Sequence, residues 1–307
     1  LIVAAGLTPA WQQIMRFDRL HPGQVNRARE VHWCASGKVL NVGVALAHLG
    51  AECETVALVG GSTGEHIEHE FQSLGIRRKW AWTHWATRTC TTILDVENGR
   101  VTELVENAGP VTHAELDSFA ATFHESAVSA QLVVLTGSLP ARAPNSYFRD
   151  LLANVTAPTI LDIRGPELME ALDRPVFAVK PNREELAATL GRDLSSDQAL
   201  QAAMRELNAR GAEWAIVTDG PRPAWASSAG GIYRFFPPQI ELCNPIGSGD
   251  CLAAGFAWAT ATGQEPLAAI RCGVAAAAEN ARQLLPGRLD PDAVLRCAEE
   301  VKFERVG

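Results

Sequence analysis

A chain of 307 residues that is 47% hydrophobic can bury a sizeable core, which excludes a disordered protein and fits one large α/β domain with an appendage. The formal charge of −8 and pI near 5.5 leave no basic excess, so neither nucleic acid nor an anionic membrane surface is an expected partner. Seven scattered cysteines, never in a C-x-x-C spacing, point to reduced thiols in a cytoplasmic protein and away from disulfides or a zinc knuckle.

The opening "LIVAAG" is apolar, short and without a basic n-region, and predicts a first core strand instead of a signal peptide. Residues 11–34 then read as short alternating strands with a turn at "HPGQ". "VLNVGVALAHLG" predicts a helix closed by Gly50, "ETVALVG" a strand and "GEHIEHEFQSLG" a helix. Residues 80–107 return to short alternating strands with a turn at "ENGR", and the two irregular regions together predict one small antiparallel sheet, with Trp80 and Trp82 on its half-buried face. "AQLVVLTG", "PTILDI", "PVFAVK" and "EWAIVTDG" follow as strands, interleaved with helical "NSYFRDLLANV" and "REELAATLG". Continuous apolar strands separated by helices imply a parallel sheet covered on both faces, built from residues 1–10, 35–79 and 108–307, with ligands at the carboxyl ends of its strands.

In Gly247-Ser248-Gly249-Asp250 the glycines allow close backbone approach, so amides can converge on an anion at the start of a helix. Asp250 then either accepts the proton of an attacking hydroxyl in phosphoryl transfer or simply caps a core helix. Asn182 and Glu185, three apart at a helix start, share one face that can hold the water shell of a magnesium ion; by themselves they read sooner as an ordinary surface pair. Thr218 and Gly220 close a strand. "VGGSTGEH" lacks the spacing of a nucleotide fingerprint, and His66-x-x-His69 among glutamates reads as a solvated face. All eight histidines precede residue 125, so none competes locally with Asp250 as base.

"NPIGSGD" followed by "AGF" resembles the signature of the ribokinase/PfkB family of carbohydrate kinases. "ASGKVLNVGVALAHLGAE", "GGSTGEHIE", "TGSLPARAP", "ILDIRGPEL", "VKPNREEL" and "IVTDG" follow the family's order, so the resemblance runs through nearly the whole chain. "LTPA", "RLHPGQVNRAREV", "ATRT" and "TGSLP" look closest to its phosphosugar branch, which includes 1-phosphofructokinase and tagatose-6-phosphate kinase. The resemblance implies a three-layer αβα sandwich with a small β-sheet lid, ATP with Mg2+, Asp250 as catalytic base and Gly247, Ser248 and Gly249 as an anion hole. It further implies Asn182 and Glu185 on magnesium through water, Thr218 and Gly220 on the nucleotide, and Gly37, Lys38 and Asn41 on the acceptor. Arg88 and Ser138 match positions that bind the acceptor's existing phosphate, and Arg27 is the candidate for a residue reaching into a neighbouring subunit's site in a homodimer formed through the lid.

Departures concentrate on the acceptor side. Gln12 stands where the family usually has an acid, Ser36 and Val39 replace glycines, Arg164 replaces a small polar residue, and "DGPRPAW" alters the turn beside the nucleotide. The expected function is ATP-dependent phosphorylation of a hexose monophosphate. A kinase for an unphosphorylated sugar or nucleoside, and a non-catalytic sugar-phosphate or nucleotide sensor on the same fold, are the alternatives.

Overall fold

The computed structural model describes residues 1–307. Strand β1 (Ile2–Gly6) has no polar side chain and is buried throughout, because parallel neighbours flank it on both sides. The chain continues through β2 (Ala10–Phe17), β3 (Glu30–Ser36), α1 (Lys38–His48), β4 (Cys53–Gly60), α2 (Gly61–Ser73) and β5 (Arg78–Thr83). Next come β6 (Thr89–Asp95), β7 (Arg100–Val105), α3 (His113–Ala127), β8 (Leu132–Thr136), α4 (Tyr147–Leu151), β9 (Thr159–Asp162), α5 (Pro166–Ala171) and β10 (Val176–Val179). The remainder is α6 (Arg183–Leu190), α7 (Asp197–Ala209), β11 (Ala212–Asp219), β12 (Arg222–Ser228), β13 (Gly231–Phe236), α8 (Ser248–Ala261), α9 (Pro266–Arg282), α10 (Pro291–Glu300) and β14 (Lys302–Arg305).

Ten strands form the large sheet in the order β14-β13-β12-β11-β10-β9-β8-β1-β4-β5, parallel from β11 to β5 and antiparallel from β11 outward to β14. One apolar layer joins the sheet to α1, α8, α9 and α10, where runs of alanine in α8 and α9 let the helices approach closely. The other layer is larger-grained, with Phe119, Phe123, Phe148, Met204 and Leu207 filling the opposite face. This is the three-layer αβα sandwich that the resemblance implies.

The small sheet has the order β3-β2-β6-β7 and is mixed, not wholly antiparallel as its turns suggest: β2 and β6 pair in parallel. The cause is topological. β1 and β5 run the same way in the large sheet, so the strands leaving their carboxyl ends also run the same way.

The lid begins later than residue 80. β5, which carries Trp80 and Trp82, pairs with β4 from Thr55↔Arg78 to Gly60↔Thr83 as an edge of the large sheet. An edge strand buried on one face has the same alternation as a lid strand, which is why the pattern misleads. Trp80 packs edge-on against Phe71 and its Nε1 donates to Glu68.

One face of the small sheet buries Gln12, Ile14, Cys34, Cys90 and Leu94, and the other leaves Val31, Trp33 and Leu104 exposed. Trp11 stacks on both Trp33 and the exposed His66. All seven cysteines are free thiols, and no helix is long and apolar enough to cross a membrane.

Candidate active site

The carboxyl ends of β1, β8, β9 and β10 meet the amino ends of α1, α6 and α8 at one edge of the large sheet. Gly247 caps α8 at φ +82°, a left-handed conformation that favours glycine. A Cβ there would also lie 2.8 Å from Pro286 Cβ and 3.2 Å from Asn41 Nδ2. The Ser248 amide donates to Pro245 O, while the Gly249 and Asp250 amides, in the first turn of α8, have no backbone acceptor and remain free for an anion. Asn280 buttresses the turn from α9, its Nδ2 donating to Ile246 O at 2.9 Å and to Ser248 Oγ at 3.1 Å.

Asp250 is buried in the first turn of α8 and accepts a hydrogen bond from Asn41 Nδ2 at 2.7 Å. Asn41 is itself oriented, since its Oδ1 accepts from Ser36 Oγ at 3.1 Å. The serine that departs from the family's glycine therefore braces the far end of the Asn41 amide, whose Nδ2 faces Asp250. Burial first, and then the charge of Asp162, push the Asp250 carboxyl up to about 7, against the opposing pull of Lys38, the Asn41 hydrogen bond and Lys180.

Asp162 ends β9 with no exposed surface. Its Oδ1 is 3.0 Å from Lys38 Nζ and 3.3 Å from Lys180 Nζ, and its Oδ2 accepts from Thr136 Oγ1 at 3.3 Å. Burial alone would raise its pKa, but Lys180 and Lys38 outweigh that and hold the carboxyl below the ordinary aspartate range. Lys38 Nζ also reaches Glu185 Oε1 at 3.0 Å. Burial disfavours the Lys38 charge, yet Asp162, Glu185 and Asp250 together raise its pKa above the usual lysine value.

Asn182 and Glu185 form a capping box at the start of α6: Asn182 Oδ1 accepts from the Glu185 amide at 2.7 Å, and Glu185 Oε2 accepts from the Asn182 amide at 3.0 Å. A bridge pairs Asn182 with Thr218, which brings the end of β11 beside this helix start. Gly220, at φ +58°, turns the β11–β12 hairpin, and Asp219 next to it pairs with Arg183 at 2.9 Å and Arg222 at 2.6 Å, so "DGPRPAW" is a charged hairpin. No three metal-ligating side chains gather here; Glu185 and Asp162 are the carboxylates that would offer hard oxygens to magnesium, with the Asn182 amide fixing the Glu185 carboxylate.

A second group surrounds Thr8. Ser138 Oγ lies 3.2 Å from Thr8 Oγ1, and the Arg88 guanidinium donates to Thr8 O, Pro9 O and, at 3.2 Å, Glu106 O. Gly37, at φ +83°, begins α1 and positions Lys38. Gln12 is buried, its Nε2 donating to Thr92 Oγ1 at 2.7 Å within the small sheet, while its Oε1 takes no protein donor. Val39 is buried among Ala35, Leu40 and Ala57 and belongs to the core. Arg164 is exposed after β9. Arg27 is exposed in the loop between β2 and β3, as is Arg29, whose guanidinium pairs with Asp18 at 3.1 Å.

Lys38, Asn41, Glu185 and Asp250 thus converge with two residues that the motifs did not single out, Asp162 and Lys180. Both were readable as charged ends of apolar strands, "TILD" and "VFAVK", at the ligand-binding edge. A cavity of about 1090 Å³ lies at the opposite edge, near Pro158, Pro175 and Gly211, and has no part in this cluster.

Solved structures with this fold include phosphofructokinase-2 from Escherichia coli in its tetrameric inhibited form, at a TM-score of 0.88 and 22% identity over 97% of this chain and 98% of that one. A possible 1-phosphofructokinase from Thermotoga maritima gives a TM-score of 0.92 at 20% identity, covering 100% of both chains. Arabidopsis thaliana ribokinase, complexed with ribose and ATP, gives 0.73 at 18% identity over 97% of this chain and 98% of that one. The sequence pattern of the pfkB family of carbohydrate kinases matches residues 2–291. With a buried aspartate at a glycine-turned helix start inside that match, the chain belongs to the pfkB family and is a phosphotransferase whose acceptor is a carbohydrate hydroxyl.

Proposed function

We propose that the protein transfers the γ-phosphoryl group of ATP to a hexose monophosphate, with fructose 1-phosphate and tagatose 6-phosphate as the first acceptors to test. The observation that carries this reading is Asp250, buried and raised to about 7, beside the free amides of Gly249 and Asp250. A carboxylate tuned near neutrality is suited to take the proton of an attacking hydroxyl. The two amides, with Lys38 close by, oppose the negative charge on the moving phosphoryl group. Magnesium held by Glu185 and Asp162, directly or through water, would neutralise charge on the nucleotide phosphates. Thr218 and Gly220 line the nucleotide side, and Arg88 with Ser138 meets the acceptor's existing phosphate.

The exposed Val31, Trp33 and Leu104 face of the small sheet is suited to pair with a second copy, carrying Arg27 toward that copy's site. Sedimentation equilibrium tests the dimer. Free thiols suit a reducing cytoplasm.

One observation favours an unphosphorylated acceptor instead: Arg88 already donates to three backbone carbonyls. Magnesium-dependent ADP release from ATP across free sugars, hexose monophosphates and nucleosides decides. Turnover confined to hexose monophosphates supports the proposal. Turnover confined to neutral acceptors replaces it, and ligand binding without turnover on any of them points to the sensor.

A further inference from the structure

The Lys38 ammonium occupies an unusual point for a side chain expected to meet an anion. It lies 3.0 Å from both Asp162 Oδ1 and Glu185 Oε1, bridging the two carboxylates best suited to a divalent cation. Lys180 pairs with Asp162 at 3.3 Å and is almost fully buried, whereas the Lys38 side chain keeps 29% of its surface exposed. Lys180 is therefore fixed, and Lys38 has room to leave.

We infer that Lys38 is a resident counter-cation that yields Asp162 and Glu185 to a divalent metal ion and moves to the Asp250 side of the site. This inference rests on the kinase reading above. Asp162, Glu185 and Asp250 face two ammonium groups, Lys38 and Lys180; when Lys38 withdraws from the first two carboxylates, the charge it leaves uncompensated is what an incoming cation neutralises. The geometry allows the movement. Lys38 is the first residue of α1, and Asn41, one turn along the same helix face, already touches Asp250. Rotation about the lysine stem carries the ammonium from the metal side to the phosphoryl side with no change in the backbone. Entry of the metal thereby delivers a positive charge to the reacting group, and the enzyme without metal keeps its acids paired.

The test is Mn2+ binding, followed by electron paramagnetic resonance without nucleotide or sugar. Lys38→Met should bind Mn2+ about tenfold more tightly than the native protein, and adding Glu185→Gln should abolish the gain. Unchanged or weaker binding in Lys38→Met overturns the inference. Should Lys38→Met not fold, the native protein answers through acetylation footprinting: saturating Mg2+ should speed acetylation of Lys38 several-fold while leaving exposed Lys302 unchanged. An unchanged or slower Lys38 rate overturns the inference. Failure of the kinase reading shows separately, as absent ADP release from the native enzyme, whatever the Mn2+ result.

Discussion

Asn41 and Asp250, 209 positions apart in the chain, meet through a 2.7 Å hydrogen bond that joins the first turn of α1 to the first turn of α8. The bond leaves the Asp250 carboxyl oriented before any substrate arrives. Asp250→Asn should lower kcat by about 10²–10⁴-fold with the fold retained, measured by coupled ADP release. Near-native turnover would remove Asp250 as the base.

The same substitution predicts a stability change of opposite sign. Asp250 titrates at about 7 in the folded protein, above its ordinary value of 3.8, so the folded state binds the extra proton between those limits. Its contribution is full below pH 4 and is lost as pH rises through about 7. Asp250→Asn should therefore melt a few degrees above the native protein at pH 8 and at nearly the same temperature at pH 4, by circular dichroism.

The pH profile of kcat/KM should rise and level off above about 7 as Asp250 ionises. Asp162→Asn removes one of the causes of that elevation and should move the midpoint down by about one unit, whatever it does to the plateau. An unmoved midpoint would show that Asp162 does not set the charge state of Asp250.

Ser36→Ala tests the orientation of Asn41. Without the Ser36 hydroxyl, the Asn41 amide loses the contact that braces it against Asp250. Steady-state kinetics should show kcat about three- to tenfold lower with KM for ATP unchanged, and the stability loss should be about 1 kcal/mol.

Arg88→Ala separates two roles. Loss of three bonds to backbone carbonyls predicts a melting temperature lower by several degrees. Contact with an acceptor phosphate predicts in addition a KM for hexose monophosphate raised about tenfold or more. A thermal effect alone would leave Arg88 as a brace between the loop at Thr8 and the end of β7.

The sandwich was legible because its strands are continuous apolar runs and its helices are patterned, and both signals are local. The glycine turn before Asp250 was legible because a left-handed cap demands glycine. Partnership was not legible. Nothing in "TILD" or "VFAVK" states that the Asp162 carboxylate and the Lys180 ammonium meet across neighbouring strands, since that follows from the β9–β10 pairing. Nor does the sequence state that Thr92, brought alongside by the β2–β6 pairing, takes up one hydrogen of the Gln12 amide. The place of β5 was ambiguous for the same reason, because alternation reports one covered face and not which sheet covers it.

The parallel seam between β2 and β6 also sets an order of assembly during synthesis. β2 leaves the ribosome early, but it cannot complete its pairing until β6 has followed, with the whole β3-to-β5 segment between them. All four strands of the lid precede the α8 turn in the chain, but their buried face packs against Leu284 and Leu285, so the lid's core closes only with the C-terminal segment. A nascent chain thus has the strands of its cover before it has Asp250, and the segment that follows Asp250 is what seats that cover.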